Sequence, residues 1–371
     1  MTSSLCMLSD ADPRGLPGFR RTYAPGRLTL GLGFPLTSRA DGEEILQLAA
    51  QAELAQLAEA GGFSALYARD IPLRVPSFGD MGQIYDPWIF LTYVAAHTSE
   101  IALGTAGIVL PVRHPLHVAK SATSLDQLSG GRLLLGLASG DRPEEFRAFG
   151  IEQGERGAVF REHLRVLEHA LTTEMRGVRW SGGWMHSADV VPKPSAARLP
   201  LLMVGTCQQS TAYLAAHGDG YMTYPRDHDA QRRTVLAWRE SVREAARESA
   251  GEASGGGDRQ SGRHGPGGGH HHDDHADHDD HDDDAARAFK PFAQSLQIDL
   301  ADDPTERESP IPFGFRLGSG RLVQHLADLR EIGVNHVQLG LGASQRPVRE
   351  IVEELSRDVV PHFPAIENGN R

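Results

Sequence analysis

Five stretches of the 371-residue chain carry side chains that could do chemistry, and four of them follow an apolar run. VGTCQQSTAYLAA places Thr206, Cys207, Gln208 and Ser210 where a helix should start. Free backbone N–H groups and the positive end of the helix dipole favour an anion there, although Thr206 or Ser210 could equally serve as the helix cap. In SGDRP, Arg142 could clamp a phosphate or a substrate with its two-pronged guanidinium, or pair with Glu144 or Glu145. Asp70, beside Arg69, is a candidate general base or a paired structural carboxylate. In VRHPLHV, His114 is either a site residue on a loop or a structural histidine, and its spacing from His117 offers no third metal ligand. Seven of the 18 histidines, His264, His270, His271, His272, His275, His278 and His281, alternate with aspartates in one tract that could bind divalent metals weakly. No spacing in that tract defines one geometry, so neither a catalytic nor a structural metal site is expected.

The elements around these residues alternate. Short apolar runs occur at residues 27–35, 63–70, 101–111, 132–140, 199–205, 219–224, 291–300 and 335–341, separated by helical patterns such as ILQLAAQAELAQLAEAGG and SGRLVQHLADLREIG. Eight β/α units predict parallel strands closed into a (β/α)8 TIM barrel, with an open doubly wound sheet as the rival. No G-x-G-x-x-G opens the first helix, which counts against that rival. In a barrel the chemistry sits at the carboxyl ends of the strands, where the four stretches above lie.

Composition narrows the class. No run approaches the roughly 20 apolar residues of a membrane helix, and the first residues show no secretory pattern. Two cysteines, Cys6 and Cys207, exclude a disulfide framework, and a cytoplasmic location is the expectation. The net charge of −12 speaks against nucleic acid and anionic membrane as partners. Most of that charge is local: residues 251–284 hold ten acids against Arg259 and Arg263, a net −8. Lacking Val, Leu, Ile and aromatics, this tract is expected to be a disordered insertion. The expected organisation is an N-terminal lead over residues 1–26 and one barrel domain over 27–371, interrupted at 251–284.

GTAGIVLP, RHP and LDQLSGGRLLLG, in that order, give the chain a likeness to a known family: it resembles the bacterial luciferase-like flavin monooxygenases from about Pro17 to Phe363, the tract excepted. The resemblance implies reduced FMN at the carboxyl end of the barrel, over a cis peptide that falls on Ala106 and Gly107. It also implies that Thr206, Cys207, Gln208 and Ser210 hold the flavin phosphate. Two positions depart from the family pattern. Ser139 stands where many members have a cofactor-binding Arg, which Arg142 could replace, and Asp70 stands where luciferases have a catalytic His.

The resemblance thus implies a two-component monooxygenase, using reduced FMN from a separate, transiently bound reductase and O2 on a small organic substrate in a pocket kept dry. A homodimer is expected by resemblance only. A deazaflavin coenzyme in place of FMN, a non-catalytic flavin-binding protein, and a metal-handling protein built on the His/Asp tract are the alternatives. Phe78, Tyr85 and Trp88 are candidate substrate-facing aromatics; the substrate itself is not legible.

Overall fold

The computed structural model describes residues 12–41, 47–78, 85–255 and 289–367. Eight strands form the barrel: β1 (Thr29–Phe34), β2 (Ala65–Ala68), β3 (Ala102–Thr105), β4 (Leu133–Ala138), β5 (Leu201–Val204), β6 (Gly220–Thr223), β7 (Phe292–Leu300) and β8 (His336–Gly340). Each pairs in parallel with its neighbours in chain order. The ring closes through β8 and β1, with Thr29 opposite His336. Closure excludes the open sheet.

Period-two alternation decides which side chains face where. Leu30, Leu32, Leu66, Leu103, Leu135 and Leu339 point outward into the main core beneath the helices. Inward positions hold smaller or polar residues: Gly31 and Gly33, Gly104, Gly136, Ser295, Gln338 and Gly340. These glycines make room for neighbours, since a Cβ on Gly104 would meet the Tyr67 ring at 2.2 Å. Helix α1 (Pro17–Thr22) covers the amino-terminal end, where Phe19 and Tyr23 join Tyr67, Leu134, Leu202 and Met222 in a second cluster inside the barrel.

The outer ring comprises α2 (Leu48–Ala60), α3 (Pro87–Ala95), α4 (Pro115–Ser129), α5 (Pro143–Ala148), α6 (Arg156–Thr172), α7 (Thr211–His217), α8 (His228–Gly255), α9 (Ser319–Ile332) and α10 (Val348–Asp358). Capping follows the sequence: Asp86 accepts from the Trp88 and Ile89 N–H groups at the start of α3, and Gly130 closes α4 in the left-handed region. Among the described residues, no helix is long and apolar enough to cross a membrane.

Three local features differ from expectation. The apolar run at 101–111 is two pieces, β3 and the pair Ile108–Val109, which also joins β4. Helix α8 continues through Gly255, five residues into the His/Asp tract, whose remaining residues lie outside the described ones. Two antiparallel hairpins stand outside the alternation, Val178–Trp180 with Gly183–Met185, and Ser309–Ile311 with Gly314–Leu317. Strands of three or four residues are too short for alternation to reveal.

Candidate active site

The break after β3 forms one wall of the barrel mouth. The Ala106–Gly107 peptide is cis, Ala106 N donates to Ala68 O, and Thr105 Oγ1 exchanges two hydrogen bonds of 2.8 Å with the Gly136 backbone. Nothing larger than glycine fits at 107, where a Cβ would lie 2.9 Å from Val204 Cγ2 and 3.0 Å from the Gly136 carbonyl carbon. Ser139 follows β4 and is buried.

The turn after β5 lies on the same side. Gly205, Cys207 and Gln208 all have positive φ (68°, 49° and 58°), winding the chain tightly before α7. That winding turns Thr206, Gln208 and Ser210 to solvent and Cys207 inward. Ser210 caps α7 by accepting from Tyr213 N at 3.2 Å, the capping role foreseen for it. Gln209 ties the turn to α6, donating to Gly157 O and accepting from Arg161. The Cys207 thiol donates to the Leu137 and Val204 carbonyls, and burial pushes its pKa up to about 12, so it is a packing group rather than a nucleophile.

Asp70 is directed away from the barrel axis. Its Oδ2 accepts from Arg113 Nε at 2.7 Å and Val109 N at 3.0 Å, and its Oδ1 from Arg113 Nη2 at 2.6 Å. Arg113 reaches on to Asp86 Oδ2 at 2.8 Å. The structural partner of Asp70 is therefore Arg113, not the adjacent Arg69. With both oxygens engaged by donors, two of the three bonds coming from a guanidinium, Asp70 acts as a strut between β2, the Ile108–Val109 segment and α3. His114 is exposed on the same flank; its Nδ1 accepts from Leu116 N at the start of α4, and its ring meets those of His117 and Trp180 edge-on. Burial first, then His117 and His163, lowers its pKa. A pocket of about 500 Å³ opens here, with Asp70, Arg113, His114, His117 and Phe149 in its lining. Arg142 is buried, its guanidinium 4.6 Å from the Phe78 ring centre. Glu144 pairs with Arg147, while burial raises the Glu145 pKa and the Arg142 charge works against that rise. Trp88 is core, and Tyr85 stacks on Phe90.

Sequence reasoning missed the opposite wall. Ser295 and Gln297 on β7 and Gln338 on β8 face the axis, Tyr224 lies just past β6, and the tip of the 309–317 hairpin brings Phe313 to within 5.1 Å of the Tyr224 ring. Deeper in the barrel, His336 Nδ1 bonds Thr29 Oγ1 at 2.8 Å, its Nε2 has no hydrogen-bond partner among the described residues, and burial lowers its pKa to about 3. Period-two reading of QSLQIDL and HVQLGL would have found Ser295, Gln297, His336 and Gln338, though not Tyr224 or Phe313. No group of acids, histidines or cysteines suited to a metal ion occurs among the described residues.

Ala106, Gly107 and the exposed donors of the Thr206–Ser210 turn suit a flat ring system with a phosphate tail, because the first pair offers no side chain to clash and the second offers hydroxyl and amide groups. The profile of the luciferase-like monooxygenase family matches residues 24–254, more than half of the chain. An uncharacterised protein of Mycobacterium tuberculosis is 33% identical over 207 residues, covering 50% of this chain and 71% of that one. An F420-dependent secondary alcohol dehydrogenase in complex with an F420–acetone adduct superposes with a TM-score of 0.66 at 15% identity, over 91% of this chain and 99% of that one. The oxygenating constituent of 3,6-diketocamphane monooxygenase from Pseudomonas putida, in complex with FMN, superposes with a TM-score of 0.62 at 16% identity, over 90% and 98%. Those two likenesses bear on the barrel alone, while the sequence match bears on descent: the chain belongs to the luciferase-like monooxygenase family.

Proposed function

We propose that the protein is a flavin-dependent monooxygenase acting on a small organic substrate, with reduced FMN delivered by a separate reductase. The observation that carries this reading is the shared wall of the mouth, where the side-chain-poor Ala106–Gly107 segment and the Thr206–Ser210 turn lie on one side. Reduced FMN would supply two electrons, so that one atom of O2 enters the substrate and the other leaves as water. The residues of the chain bind and orient. Ala106 and Gly107 give the ring a flat seat, Thr206, Gln208 and Ser210 offer donors to the phosphate, and the strut of Asp70, Arg113 and Asp86 fixes the segment from which Ala106 projects.

The test is a titration of the purified protein with FMN and with a deazaflavin coenzyme, followed by oxygen uptake with a generic flavin reductase. Tight FMN binding and substrate-stimulated oxygen uptake support the reading. Preference for the deazaflavin with no oxygen uptake would replace it by hydride transfer, and binding of neither would refute it.

A further inference from the structure

The barrel mouth has two unlike walls. The one formed after β3 and β5 is small and suited to the cofactor. The one running from β6 round to β1 presents Ser295, Gln297 and Gln338 toward the axis. Each carboxamide has room because a glycine faces it on the next strand: a Cβ on Gly340 would meet the Gln297 Nε2, Oε1 and Cδ at 2.3, 2.5 and 2.6 Å, and one on Gly33 would meet the Gln338 Nε2 at 2.5 Å. Neither carboxamide, nor the Ser295 hydroxyl, makes a side-chain hydrogen bond to another described residue. A primary amide brings two donors and an acceptor, which are costly to leave unmet once a site is closed and dry.

The wall is also neutral where it faces inward. Asp299, the next inward position on β7, is taken by Arg316 Nη1 at 2.9 Å and Gln345 N at 3.0 Å. At the rim, Tyr224 and Phe313 are 57% and 60% exposed, an unusual display for two large rings in contact. Phe313 holds a left-handed φ of 60°, and its carbonyl accepts from Gln297 N at 2.9 Å, so the hairpin tip is tied to the residue that presents the amide.

We propose that Gln297 and Gln338 select the organic substrate by bonding a neutral carbonyl or hydroxyl group, while Tyr224 and Phe313 cover its apolar, ring-bearing body. This rests on reading the mouth as the reaction site, and it adds the substrate class and the residues that read it.

The test uses three probes of one carbon skeleton, acetophenone, 1-phenylethanol and ethylbenzene. They are titrated into the full-length protein alone and into the protein saturated with FMN, with binding followed by calorimetry. The ketone and the alcohol should bind about ten-fold tighter than the hydrocarbon. The double variant Gln297→Leu, Gln338→Leu should lose that preference with FMN affinity unchanged. Gln338→Glu, which keeps the size but only accepts hydrogen bonds, should retain the alcohol and reject the ketone. Tyr224→Ala should weaken all three probes alike. Equal binding of the three probes, binding of none, or an unaltered preference in the glutamine variants would overturn the proposal. Failure of the wild-type protein to bind FMN would instead sink the cofactor assignment, and the FMN-free titration would still decide this one.

Discussion

The flank around Asp70 and the wall around Gln338 are both polar, yet they are built on opposite terms. On the flank, the charges are paired with one another: Asp70 binds Arg113 twice and Val109 once, and Asp86 divides itself between Arg113 and the start of α3. Inside the mouth, two neutral carboxamides and a hydroxyl have none among the described residues. A charge cluster whose members are paired with one another is scaffold, because removing a partner leaves a buried charge stranded. Unmet neutral groups in a concave site are where a ligand can gain something. The residues with the strongest chemistry in the sequence are thus the ones the fold has committed to structure.

The largest expected effect tests the flank. Arg113→Leu should destabilise the protein by about 3 kcal/mol, since the Asp70 side chain is only 1% exposed and would lose its counter-charge. A shift in the chemical denaturation midpoint measures this, and a change near zero would mean the cluster is not a strut. Next comes His336, deep in the barrel beneath the Gln338 wall. With its pKa lowered to about 3, His336 is neutral in the fold, whereas the unfolded chain takes up a proton below its ordinary value of 6.5. The unfolded state therefore binds more protons between those limits, and stability falls as pH falls through that window, by up to about 1.4 kcal/mol per pH unit. His336→Gln should flatten that acid limb; an unchanged slope of unfolding free energy against pH would show that His336 does not drive it.

Ser210→Asp probes the cofactor wall with the fold held constant. Aspartate caps a helix as well as serine does, so the melting temperature should not move. The added charge should weaken FMN binding about ten-fold or more by opposing the phosphate. Unchanged affinity would separate the turn from the phosphate. The smallest effect is at Cys207. With its thiol pushed up to about 12, it should resist iodoacetamide at pH 8 in the native protein. Cys207→Ala should leave FMN affinity unaltered, and rapid alkylation would contradict the burial that keeps the thiol inert.

Much of the fold was legible because a (β/α)8 barrel repeats its signal eight times. The outward leucines of RLTLGLGFP and RLLLGLASG, the glycine stop of α4 and the capping Asp86 are all local features. The candidate site was legible only in part. Thr206, Gln208 and Ser210 sit on a helix-opening turn, and the Ala106–Gly107 break was named through family likeness. The partner of Asp70 was not legible, since Arg113 lies 43 residues away along the chain and the neighbouring Arg69 looked nearer.

What the sequence alone determined was the alternation, hence the barrel, the strand ends at which chemistry could lie, and the family whose motifs the chain carries. What only the tertiary structure decided was which of those residues still have bonds to offer. Asp70 and Gln338 both follow from strand patterns, but one faces the helices and the other the axis. Hydrogen-bond satisfaction depends on atoms brought together from distant parts of the chain, so no local reading of residue types could have ranked the neutral glutamines above the charged aspartate.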